Sequence, residues 1–178
     1  MTTTELIVVV VIIGIIAGFA IPRVNFTQFQ VDAGVRLVRS QVQIAQRLAV
    51  TRQYNVVVSF DQVNHRVRML EDNNNNSAYD AGERVTWVNL DDGVNFATPP
   101  IGVNGPVAGA IDGTNLATVD GLPSIIFRRN GAGNSDLEVY LTSRRASPAD
   151  FRGVTMLKST GHTDWYKYVG SMWTPGNL

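Results

Sequence analysis

The sequence predicts an α+β protein in which a long N-terminal helix, apolar and exposed over its first half, packs by its second half on an antiparallel β domain. Three observations carry that expectation. Leu6 to Ile21 contains no charged residue. From Val31 to Ala49, apolar residues recur at helical spacing. Beyond Tyr54, short valine-rich runs alternate with clusters of Gly, Asn, Asp and Pro. The expected organisation is an apolar assembly segment at 1–22, an amphipathic helix half at 23–53 and a β-rich globular domain at 54–178.

A chain of 178 residues with 44% hydrophobic side chains can build one core. Its fifteen basic and fifteen acidic residues cancel, so no whole-protein field draws it to polyanions or anionic membranes. The absence of cysteine removes disulfides, thiolate metal sites and cysteine nucleophiles together.

The run Leu6–Ile21 is slightly short of the about 20 residues that cross a bilayer, but the flanking threonines and Pro22 extend it, and a single membrane pass is expected. No base precedes it, so it does not read as a cleavable signal peptide. A carboxylate at the edge of hydrocarbon costs a few kcal/mol unless paired, so Glu5 needs a partner. Gly14 and Gly18 form a G-x-x-x-G, which lets apolar helices approach closely. Glycine costs a helix about 1 kcal/mol and proline about 3, so a bend or break is expected between Gly14 and Pro22.

Glu5, the unbroken aliphatic run, Gly14, Gly18 and Pro22 resemble the mature N-terminus of type IV pilins and type II secretion pseudopilins. The resemblance implies a structural subunit that polymerises by its N-terminal helix into an extracellular pilus-like filament. It also implies a prepilin peptidase that cuts a basic leader and methylates the new first residue, here Met1. The implied partner of Glu5 is the N-terminal amine of a neighbouring subunit. Other implied partners are identical or related subunits, the assembly platform, and the inner membrane before assembly.

After Pro22, Val31, Val35, Val38, Val42, Ala45 and Ala49 make one stripe of an amphipathic helix running to about Thr51. Strands are expected at Asn55–Phe60, His65–Leu70, Arg84–Val88, Gly93–Ala97, Ser124–Arg128, Leu137–Thr142, Val154–Lys158 and Trp165–Val169. Thr98 to Pro123, rich in Gly and Pro, reads as a long surface loop. The helix end Arg39 to Arg52, the pair Ile125-Ile126-Phe127 and Asn130-Gly131, and Gly161 followed by Trp165-Tyr166-Lys167 resemble the GspH/FimT-type branch of minor pilins and pseudopilins. That branch implies an alternative role in a type II secretion or DNA-uptake machine.

Chemistry is sparse. His65 and His162 share no metal-ligand spacing, and no nucleophile elbow, P-loop or dinucleotide fingerprint occurs, so the chain does not read as an enzyme. Arg128, Arg129, Arg144, Arg145 and Arg152 are candidate phosphate contacts, the resemblance offering DNA as a partner. Asp72 to Glu83 spaces oxygen donors as a twelve-residue calcium loop does. Asp72, Asn74, Asn76, Asp80 and Glu83 stand at positions 1, 3, 5, 9 and 12, and Ala78 would offer its carbonyl. Ser77 stands where such loops carry glycine. No cofactor is required on this reading, and Ca²⁺ is the one candidate.

Overall fold

In the computed structural model the described residues before the β domain form helix α1 at Thr3–Ala20 and helix α2 at Phe26–Arg52. The structure describes residues 2–20, 26–109, 111–113 and 116–176; side chains at 17–20 are outside that description. The helix runs without interruption through Gly14 and Gly18 to Ala20. The break expected from Gly14 therefore does not begin at the glycines. Each costs only about 1 kcal/mol, which the surrounding hydrogen-bond ladder tolerates. Pro22 lies outside the described residues.

Helix α2 buries the expected stripe, Val31, Val35, Val38, Val42, Ala45 and Ala49, with Gly34 among them. The glycine permits a close approach: a Cβ there would meet Val94 Cγ1 at 3.0 Å. The stripe packs against strands of two antiparallel sheets. The first has the order β3-β2-β1-β7-β6 and the second β11-β10-β9-β8-β4, with β5 also paired to β8.

Strands β1 (Asn55–Asp61) and β2 (Arg66–Asp72) form the expected hairpin, with Val58 opposite Met69. The others are β3 (Arg84–Asn89), β4 (Val94–Phe96), β5 (Ile111–Asp112), β6 (Ala117–Val119), β7 (Leu122–Phe127), β8 (Leu137–Ser143), β9 (Arg152–Met156), β10 (Thr163–Val169) and β11 (Met172–Pro175). The core joins the α2 stripe to Val56, Val58, Phe60, Ile125 and Phe127 from the first sheet. The second sheet supplies Val139, Leu141, Val154, Met156 and Trp165. Val57, Leu70 and Val119 form a smaller cluster, with Val85 and Ile126 packed against it.

The sequence reading needs three corrections. Thr98–Pro123 is not only loop, because it contains β5, β6 and the start of β7. These short strands carry too few residues for alternation to register. Trp165–Val169 lies within β10, and β11 follows it as an edge strand. His65 is not a strand residue: its φ of 50° places it in the turn before β2. Among the described residues no helix is long and apolar enough to cross a membrane; the expected pass from Leu6 to Ile21 extends into residues 17–21, whose side chains lie outside the description.

Candidate functional site

Every described side chain from Thr2 to Ile16 is exposed, including Leu6, Ile7, Val8 to Val11, Ile12, Ile13, Ile15 and Ile16. A helix apolar on all faces is normally a buried helix. This one has its apolar surface bare, and that surface is the chain's largest candidate interface.

The start of the helix is closed by a reciprocal pair of hydrogen bonds. Thr2 N–H donates to Glu5 Oε2 at 2.8 Å, and Glu5 N–H donates to Thr2 Oγ1 at 3.4 Å. This is a capping box, which satisfies backbone donors that the first turn leaves without partners. The T-x-x-E spacing that signals it stands in the sequence at Thr2 and Glu5. Met1, the implied counter-charge, lies outside the described residues. Gly14 meets nothing within 4 Å, which leaves its face open to close approach by another helix. Gly18 is helical, with its surroundings undescribed.

The candidate nucleic-acid residues do not form one patch. Arg152 is buried, its Nε donating at 2.6 Å to Asp32 Oδ1 on α2 and its Nη1 to the carbonyls of Ala149 and Phe151. Lys167 Nζ stands 3.9 Å from the other oxygen of Asp32. This is a structural tie between helix and sheet, with no guanidinium free for phosphate. Arg145 donates to Thr27 Oγ1 at the beginning of α2. Arg128 and Arg129 sit on the turn whose Gly131 packs against Val50 near the end of α2. Thr27 and Val50 are about 35 Å apart along the helix at 1.5 Å per residue. The proposed cluster is thus divided between two ends and one buried pair.

Gln46 fixes the turn at the far end. Its Nε2 donates to Gly131 O at 3.1 Å and to Thr160 O at 2.8 Å, holding two turns against one helix. Gly161 sits under this clamp with φ 65°; a Cβ there would come within 2.0 Å of Gln46 Nε2. The spacing of Gln46 from the glycines gave no sign of this, because the contacts are long-range.

The Asp72–Glu83 loop closes on itself. Asp72, buried at the end of β2, accepts from the backbone of Asn76 at 3.1 Å and Ser77 at 2.8 Å. The carboxamides of Asn74 and Asn76 donate to Asp80 Oδ2 at 2.7 and 2.6 Å, which holds the Asp80 carboxyl below its ordinary pKa. Glu83 accepts from the backbone of Asn73 and Asp80. Ser77 adopts φ 61°, the left-handed conformation that a sixth-position glycine supplies in calcium loops. Among the described residues, no group of three or more His, Cys, Asp or Glu side chains converges as a metal site. Ala78 donates its N–H to Asn76 Oδ1.

With this geometry in place, comparison with known proteins is informative for the fold. The chain resembles the minor pseudopilin EpsH from the type 2 secretion system of Vibrio cholerae, with a TM-score of 0.53 over 76% of this chain and 95% of that one. The fold is that of a pseudopilin. Sequence identity across the match is 12%, so the pseudopilin likeness lies in architecture. No family model and no curated protein sequence matches the chain.

The buried ion pair gives the pseudopilin fold a testable joint. Removing one partner of a buried pair typically costs about 3–5 kcal/mol, whereas an apolar replacement of both is often neutral or stabilising. Arg152→Met alone should strongly destabilise the chain to urea, and Asp32→Leu/Arg152→Met should recover much of the loss. Equal destabilisation of the single and double variants would show that the pair does not couple α2 to β9.

Proposed function

We propose that this chain is a pilin-like structural subunit that polymerises through its N-terminal helix into an extracellular filament. The single observation carrying the reading is the apolar surface of α1, bare on every face from Leu6 to Ile16. Burying one such side chain contributes about 1.5–3 kcal/mol, so packing several against like helices outweighs the ordering of a subunit. The likeness to a minor pseudopilin supports the same role and favours the alternative of a minor subunit in a type II secretion machine. Before assembly, α1 associates with the inner membrane through the same surface. Prepilin processing and N-methylation belong to this proposal. Catalysis does not, because the reading requires only packing.

Glu5 separates capping from charge pairing. Glutamine at the third helical position still completes a capping box but carries no charge. Under the proposal, Glu5→Gln leaves stable subunits with few filaments, as Glu5→Ala does. Wild-type filament yield from Glu5→Gln cells, judged by negative-stain microscopy of sheared material, would show that Glu5 acts only as a cap.

We further propose that the Asp72–Glu83 loop takes one Ca²⁺, a reading favoured by the left-handed conformation of Ser77. The oxygen and nitrogen of a carboxamide exchange places on rotation about its terminal bond. Turning Asn74 and Asn76 in this way would direct their oxygens towards Asp80, with a cation replacing the amide donors, at the loss of the Asn76 and Ala78 N–H bonds that those oxygens now accept. Several millimolar calcium should raise the melting temperature of the chain, and Asp72→Asn/Glu83→Gln should abolish the rise. An unchanged melting temperature for the wild type leaves a self-capped loop and no site.

A further inference from the structure

The β domain carries complementary features at opposite ends of α2. At the far end, the turn Arg128-Arg129-Asn130 is exposed, held through Gly131 on Val50 and Gln46. Neither arginine has an ion-pair partner among the described residues. Exposed Arg47 and Lys158 lie close by, the latter accepting Gly133 N–H through its carbonyl. At the near end, a polar cleft of about 390 Å³ is lined by Asn64, His65, Asp91, Asp92 and Asn95 above Leu90 and Val94. Asp91 and Asp92 are exposed and likewise unpaired among the described residues.

One detail favours an occupant for the cleft. The cations on its walls do not answer the two acids: Arg66 is held by Asp61 at 2.8 Å, and Arg144 makes no ion pair among the described residues. Gly93 of this cleft lies beside Gln30, about 30 Å from Val50 at 1.5 Å per helical residue. One chain therefore cannot bring its own arginine turn to its own cleft.

We propose that the Arg128–Arg129 turn of one copy docks in the Asp91–Asp92 cleft of a second copy. A contact between two different patches repeats without closing unless the rotation returns to the start, so this arrangement builds an open array rather than a dimer. Guanidinium groups suit it because their planar donors meet carboxylates bidentately. The charges steer the register, while the apolar helix supplies most of the association free energy. The inference rests on the filament reading, for which it specifies a contact in the outer shell.

The cysteine-free chain allows a direct test. In full-length Asp91→Cys/Arg129→Cys, oxidation can join only different copies, because a disulfide requires Cα atoms within about 7 Å. A ladder of dimers, trimers and longer species on a non-reducing gel, collapsed by reductant and lost in either single variant above the dimer, is expected. Independently, Arg128→Glu/Arg129→Glu or Asp91→Lys/Asp92→Lys should lower filament yield on the order of tenfold, and combining all four should restore it. Absence of a ladder, or of any effect of charge reversal, while wild-type chains form filaments overturns the docking inference alone. No filaments from the wild type overturns the reading beneath it.

Discussion

The arrangement depends on one constraint, that the apolar surface of α1 from Leu6 to Ile16 is not covered by the other described residues. The β domain has its own core, supplied by α2 and two sheets, and this core closes without α1. On the proposed reading, the chain thus separates a folding problem, solved within residues 26–176, from an association problem carried by residues 3–20. Such a separation suits a subunit stored as a monomer and used as a polymer. The capping box at Thr2 and Glu5 extends the same economy to the helix start, where backbone donors are satisfied before any neighbour arrives.

Much of this was legible in the sequence because it depends on local periodicity. The stripe from Val31 to Ala49 is buried as its spacing implied, and the β1–β2 hairpin forms at the expected valines. What could not be read depends on distant pairing. Strands β5 and β6 are two and three residues long and exist because β8 and β7 accept them. The Gln46 clamp joins a helix to turns 85 and 114 residues away. Arg152 looked like a surface base, yet its partner Asp32 lies 120 residues earlier and takes it into the interior. In the Asp72–Glu83 loop, the donor spacing was visible but the direction in which each amide points was not.

Net neutrality conceals a directional arrangement of charge. Ion pairs that couple elements, such as Arg152 with Asp32 and Arg68 with Asp120, lie at least partly inside the domain. Unpaired cations and acids remain at its ends. Surface pairs of this kind contribute little to folding, about 0–1 kcal/mol each, so their placement is free to serve the alignment of copies. Helix packing would set the strength of such a filament and surface charge its register.

The most direct measurement compares the full chain with a version beginning at Phe26, by negative-stain microscopy of filaments and sedimentation of the shortened protein. Because residues 26–176 contain the whole described core, the shortened chain should be a folded monomer that forms no filaments, while the full chain assembles. Filaments formed by the shortened chain would contradict the assignment of assembly to α1.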